Sequence, residues 1–254
     1  MNDQVLEDKI AVVTGAGKGI GRGVTLALAK AGAKVVASGR DEAALAETAE
    51  LVAAAGGIAI TARCDVTDVQ QIAELVDRAV GAFGTIDVLV NNAQGQMGRG
   101  VLLDVSAEDF HAAFVSGPLA TFRLMTACEP HLRDGGVIVN FGTGAGIRPD
   151  PVGYGCYAAV KEAIRALSRA AAVEWGPRGI RVHSVVPLAH SDALAVWARK
   201  RPEESKRFFD SVPLGRVGDP EHDIGKAIVF LCGPDSGYLT GNTIALDGGQ
   251  AYLH

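Results

Sequence analysis

Apolar runs of five or six residues alternate along this chain with longer stretches of helical spacing. Lys9 to Thr14 is apolar after its lysine and predicts a buried strand. Gly15-Ala16-Gly17-Lys18-Gly19-Ile20-Gly21 follows, and a helical stretch runs on to Ala31. Lys34 to Ser38 predicts a second strand, and Asp41 caps a helix reaching about Ala55. Ile58 to Ala62 and Ile86 to Val90 read as the third and fourth strands, with a helix over Asp68 to Phe83 between them. Ser106-Ala107-Glu108-Asp109 has the form of a helix start. Val137 to Phe141 is the fifth strand, and a loop to Val152 precedes a helix carrying Tyr157. Ile180 to Val186 is the sixth strand, and Ala189 to Val212 is polar, charged and helical in flavour. A helix over Glu221 to Leu231 and a strand over Asn242 to Leu246 complete the pattern.

The strands are apolar on both faces and alternate with helices. That pattern predicts an α/β protein with a Rossmann-type, doubly wound, seven-stranded parallel sheet and helices on both faces. No linker, repeat or low-complexity segment interrupts residues 1–254, so a single domain is expected. Ligands in such sheets sit beyond the carboxyl ends of the strands, and ligand residues should follow the strands directly.

Composition narrows the class. The chain of 254 residues is 48% hydrophobic and 21% charged, with a net charge of −5. That balance argues against nucleic acid as a partner. Cys64, Cys128, Cys156 and Cys232 are scattered, with no metal-binding spacing, and suit a reducing compartment. The first residues show no signal-peptide pattern, and no apolar run is long enough for a membrane span. A cytoplasmic protein is expected, with no membrane and no metal.

The turn after the first strand matches T-G-x-x-x-G-x-G through Thr14, Gly15, Gly19 and Gly21. Glycines let backbone approach a pyrophosphate at a helix N-terminus, so Gly15, Gly17, Gly19, Ile20 and Gly21 are candidate dinucleotide contacts. The second strand ends in Ser38-Gly39-Arg40, without the acidic side chain usual for the ribose of NAD. Arg40 and Lys18 offer two cations for a 2′-phosphate, which favours NADP(H) over NAD(H). Asp65 and Val66 follow the third strand, and Asn91-Asn92-Ala93-Gln94-Gly95 follows the fourth; Asp65, Val66, Asn92 and Ala93 are candidates for the adenine side. Thr143 follows the fifth strand, and Pro187 and Leu188 follow the sixth.

Tyr157 and Lys161 are four apart in a stretch without Gly or Pro, so a helix puts them on one face, one turn apart. A free tyrosine titrates near ~10, and a fixed cation nearby favours its phenolate. Such a tyrosine can pass a proton to or from a substrate oxygen.

These motifs, with Pro213-Leu214-Gly215-Arg216-Val217-Gly218, Thr240-Gly241 and Asp247-Gly248-Gly249, resemble a classical short-chain dehydrogenase/reductase over nearly the whole chain. The resemblance implies a sheet order of 3-2-1-4-5-6-7. It also implies hydride transfer between a nicotinamide cofactor and a small-molecule carbonyl or alcohol. Tyr157 would be the general acid or base. Lys161 would bind the nicotinamide ribose and lower the tyrosine pKa, and backbone from Leu188 to Ser191 would hold the carboxamide end. A hydroxyl would hold the substrate oxygen. Residues 189–212 would form a substrate lid, and a homodimer or homotetramer would be typical.

Several positions depart from that family. Gly142 and Gly144 stand near the usual serine, leaving Thr143 as the nearest hydroxyl. The helix asparagine that relays protons to the lysine is missing from Phe114-Val115-Ser116-Gly117-Pro118; Ser116 is the polar residue left to hold a water there. Gly117 and Pro118 are expected to break this helix and keep a local bulge. Gln94 replaces a glycine, and His183 replaces an asparagine and is expected to pack at its strand. In the lid, Trp197, Phe208 and Phe209 either line an apolar pocket or anchor the segment, beside the basic run Arg199-Lys200-Arg201. The departures keep two rivals open: a nucleotide-binding protein that has lost catalysis, and a dehydratase or epimerase on the same fold. The Tyr157 helix is apolar on several faces, which suggests burial against the sheet on one side and a second subunit on the other.

Overall fold

A computed structural model describes residues 4–95, 98, 100–147 and 153–251. The strands are β1 (Ile10–Thr14), β2 (Lys34–Gly39), β3 (Ile58–Arg63), β4 (Ile86–Asn91), β5 (Leu132–Phe141), β6 (Arg181–Pro187) and β7 (Thr243–Leu246). They form one parallel sheet in the order β3-β2-β1-β4-β5-β6-β7, the order that the family resemblance implied. The helices α1 (Gly19–Lys30) and α2 (Glu42–Ala54) connect the first three strands, and α3 (Val69–Phe83) leads to β4. Next come α4 (Ala107–Phe114), α5 (Ala120–Cys128) and α6 (Gly155–Trp175), then α7 (Asp192–Lys200), α8 (Pro202–Asp210) and α9 (Lys226–Cys232). Among the described residues, no helix is long and apolar enough to cross a membrane.

Alternate residues of each strand feed two cores, because successive side chains point to opposite faces. On one face Val13, Val35 and Val90 pack with Val24, Leu28, Leu45, Val52 and Ile228 of α1, α2 and α9. On the other, Val12, Val36, Leu89 and Ile138 pack with Ile72, Leu75, Leu124 and Ala171 of α3, α5 and α6. Both faces are therefore covered, as a parallel sheet requires.

At the carboxyl end the second face turns polar. Thr14 pairs in register with Ser38, and Asn140 with Asn91 and Ser184; Ser184 pairs in turn with Thr243. All but Thr243 are buried. Buried polar groups need partners, and this row supplies many of its own. Asn91 Nδ2 donates to Asn140 Oδ1 at 2.8 Å, and Asn140 Nδ2 donates to Ser168 Oγ of α6 at 2.9 Å. Thr14 Oγ1 accepts from the backbone N–H groups of Asn92 and Ala93 at 3.2 and 3.1 Å. The row fixes the strand ends and the loops that leave them.

The sequence expectations differ from the structure in four places. The segment with Gly117 and Pro118 keeps the expected bulge but does not break its helix. It continues from α4 to α5 as a π-turn, Val115–Leu119, in which Ala120 N–H reaches back to Val115 C=O. Pro118 has no N–H to give Phe114, and the wider turn accommodates that loss. Residues 189–212 are helical as expected, but divided into two helices that meet at Arg201. The helix expected from Glu221 opens as a π-turn over Pro220–Gly225 before α9 begins. Strand β5 starts earlier than its apolar run, at Leu132. Residues 148–152 of the loop before Tyr157 lie outside the described residues.

Asn140→Ala should leave the Asn91 amide without its partner on β5, while the Ser168 hydroxyl keeps its bond to Ile164 C=O. The expected loss is about 1–3 kcal/mol of unfolding free energy, read from urea denaturation.

Candidate active site

The turn between β1 and α1 owes its shape to glycine. Gly15 has φ +68°, and a Cβ on Gly21 would lie 2.1 Å from the Gly15 carbonyl oxygen. Arg22 braces the turn: its Nε donates to Gly17 C=O at 2.9 Å, and its guanidinium pairs with Glu47 of α2 at 2.6 Å. Asn92 Nδ2 donates to the Thr14 and Gly15 carbonyls at 3.0 and 3.3 Å, tying the loop after β4 to the loop after β1. The backbone N–H groups at the start of α1 are thereby held open for an anion.

A cleft of about 610 Å³ follows these carboxyl ends. Gly15, Gly17, Lys18, Gly39, Arg40, Asp65, Val66 and Ala93 line it, all of them anticipated. Gly19, Ile20 and Gly21 at the start of α1, Ser38 near the end of β2 and Asn92 just after β4 adjoin lining residues in the chain but lie outside the lining. Cys64, Thr67, Gln94 and His111 also line it, as does Asp41, which the sequence marked only as a helix cap. The cap is present, with Asp41 Oδ1 accepting from Ala44 N–H at 3.1 Å. Its other oxygen takes Lys18 Nζ at 2.9 Å, a contact between elements 23 residues apart that no local pattern announces. Burial pushes the Cys64 thiol up to about 11, so it stays protonated beside the cleft.

Thr143, Tyr157 and Lys161 lie outside that lining, beyond the ends of β5 and β6. Lys161 is buried in α6, and its ammonium lies 5.7 Å from the centre of the Tyr157 ring. Its Nζ donates to Phe141 C=O at 2.9 Å, two residues before Thr143. Burial lowers its pKa from the ordinary 10.5 to about 8, so it remains mostly charged at neutral pH. Thr143 caps a short turn over Gly144–Gly146, accepting from Ala145 N–H at 3.3 Å. That turn rests on α6, where a Cβ on Gly146 would meet Glu162 Oε1 at 2.5 Å.

The π-turn forms a second wall. Gly117 approaches α6 so closely that a Cβ there would fall 2.5 Å from Val160 Cγ1 and 3.1 Å from Gln94 Oε1. A larger side chain does not fit at position 117, and the Gln94 carboxamide fills the neighbouring space, its Nε2 donating to Ser116 Oγ at 3.3 Å. Ser116 Oγ in turn donates to Ala112 C=O at 3.0 Å. Pro187 ends β6, and Leu188 is clipped on both sides: its N–H donates to Leu246 C=O, and its C=O accepts from Gly218 N–H. The segment that follows is thereby anchored at its base. Within it Trp197, Phe208 and Phe209 pack on one another at 5.5 to 6.2 Å, an internal anchor for α7 and α8. His183 is wholly buried on β6, where burial and Arg181 press its pKa down to about 4.

A doubly wound sheet with a glycine cradle at one strand end and a Tyr-Lys pair beyond another defines a dinucleotide-dependent oxidoreductase. Known proteins agree. The family described as Enoyl-(Acyl carrier protein) reductase matches residues 15–251. A 12alpha-hydroxysteroid dehydrogenase from a Clostridium strain is 41% identical, covering 97% of this chain and 98% of its own. A 7alpha-hydroxysteroid dehydrogenase of Escherichia coli is 32% identical, over 96% and 94% respectively. Among solved structures, a blue fluorescent protein from a metagenomic library in complex with NADPH superposes with a TM-score of 0.89. It shares 31% identity and covers 98% of this chain and 100% of its own. The chain belongs to the short-chain dehydrogenase/reductase family and is an NAD(P)-dependent oxidoreductase.

Holding Lys161 charged in the interior costs the fold stability at neutral pH. Its folded pKa lies below its unfolded one, so stability rises with pH from about 8 towards 10.5, where the unfolded chain binds the extra proton. Lys161→Met should therefore be more stable than the parent at neutral pH, by roughly 2 kcal/mol. The gap should close as pH rises through that window, as read by urea unfolding of the cofactor-free protein.

Proposed function

We propose that this chain is an NADP-dependent reductase and dehydrogenase acting on a ketone or secondary alcohol, with Tyr157 as its proton donor and acceptor. The observation that carries the reading is the buried Lys161 ammonium 5.7 Å from the Tyr157 ring, on one helix face beside the ends of β5 and β6. The bound nicotinamide would supply or accept the hydride. In reduction, negative charge builds on the substrate oxygen, and Tyr157 gives it the phenolic proton. The Lys161 cation lowers the cost of the phenolate left behind. Thr143 donates a hydrogen bond to the same oxygen, in place of the family's usual serine. In oxidation the proton moves the other way, from the alcohol to the tyrosine.

Gly15 to Gly21 hold the pyrophosphate, and Asp65, Val66, Asn92 and Ala93 face the adenosine. Pro187 and Leu188 meet the carboxamide end. Lys18 and Arg40 receive the 2′-phosphate, and the NADPH complex of the metagenomic relative supports that preference. The fit is supported by the glycine turn, too tight for any Cβ at position 21, and by the two cations lining the cleft. Ser116, which lines the cleft, holds a water where the family's helix asparagine is missing. Residues 189–212 close over the substrate. Two relatives are hydroxysteroid dehydrogenases, so ring ketones and alcohols of that kind head the candidate substrates. The outward face of α6 exposes Ala159, Ala166, Ala170 and Val173, an apolar stripe suited to a second copy of the chain.

NADPH consumption over a panel of oxosteroids, other ketones, aldehydes and quinones tests the reading. Tyr157→Phe should lower turnover by roughly 10²–10⁴-fold with NADPH affinity nearly unchanged. Thr143→Ser should retain activity, while Thr143→Val should lose roughly 10²–10³-fold in kcat. Near-parental rates in Tyr157→Phe would refute the assignment.

A further inference from the structure

Four charges share one wall of the cleft: Lys18 and Arg40, with Asp41 and Asp65. They are paired across it. Lys18 Nζ sits 2.9 Å from Asp41 Oδ2, and Arg40 Nη1 sits 4.0 Å from Asp65 Oδ2. The pairs differ in tightness. Asp65 Oδ1 accepts from Thr67 N–H and Oγ1 at 3.0 and 2.8 Å, and its contact with Arg40 is long. Asp41 is pinned by the Ala44 N–H that it caps, and its free oxygen is turned to Lys18. Each partner shifts the other: the hydrogen bond to Lys18 lowers the Asp41 pKa, and the one to Asp41 raises that of Lys18. The carboxylate stays ionised throughout the neutral range.

A 2′-phosphate reaching Lys18 meets that carboxylate on the same ammonium. The two anions compete for one cation and repel at close range. A ribose with a free 2′-hydroxyl brings no such conflict. We infer that Asp41 is a further specificity-determining residue of this cofactor site, an internal competitor for Lys18 that weakens the preference for NADPH over NADH. The inference rests on the assignment of Lys18 and Arg40 to the 2′-phosphate. Asp41 is exposed, so its effect is modest and sensitive to salt.

Asparagine isolates the charge, because it caps a helix as well as aspartate does. Dissociation constants for NADPH and NADH, from the fluorescence of the bound nicotinamide, are compared between the parent and Asp41→Asn at low and high salt. The expected result is an NADPH constant tightened by about fivefold at low salt, little change for NADH, and a smaller difference at high salt. Asp41→Ser, which caps through a hydroxyl, should shift in the same direction. An unchanged NADPH-to-NADH ratio, or equal shifts for both cofactors, would overturn the inference. The parent's own ratio is a separate readout. A parent that binds NADH more tightly would refute the NADP assignment, while a shift towards NADPH in Asp41→Asn would still uphold the role of Asp41.

Discussion

The arrangement depends on burying one ammonium at the carboxyl edge of a parallel sheet. An amine there must find acceptors or lose its proton. Phe141 C=O, at the end of β5, provides one at 2.9 Å. Reaching it requires α6 to run close over the sheet, and the π-turn at Gly117 allows that by presenting no side chain to Val160. In the proposed mechanism the stability surrendered to desolvation is returned as chemistry, since the same cation stands one helical turn from Tyr157. Perturbed lysines of this kind cluster at functional sites.

The rest of the sheet keeps that edge rigid. The polar row below it joins β4, β5 and α6 through Asn91, Asn140 and Ser168, and joins β1 to the loop after β4 through Thr14. The cofactor side and the Tyr-Lys side are thus held by one hydrogen-bonded layer. A reaction that needs groups placed within a fraction of an ångström depends on such support.

Much of this was legible in the sequence, because strand period, helix period and glycine turns are local signals. The apolar runs marked every strand, and the order of motifs placed the cradle, Thr143, Tyr157 and Lys161 at strand ends. What the sequence hid was pairing across distance. Asp41 looked like a cap and nothing more, although it also takes Lys18 from another element. Gln94 and Gly117 looked like two unrelated departures, yet the side chain of one fills the space beside the other. Gly117 and Pro118 suggested a broken helix, but a π-turn absorbs the missing N–H without ending it. The aromatic residues of 189–212 could be read as pocket or anchor, and the structure adds that they pack on one another across α7 and α8.

The central claim is that hydride passes between nicotinamide and a carbonyl carbon while Tyr157 handles the proton. Following an isotope tests it most directly. The protein is incubated with a ring ketone and NADPH carrying deuterium in both positions at C4, and the product is analysed by mass spectrometry. The account predicts an alcohol with a single deuterium on the carbinol carbon, formed mole for mole with oxidised cofactor. An unlabelled product, substrate converted without cofactor oxidation, or bound NADPH that no ketone consumes would contradict it.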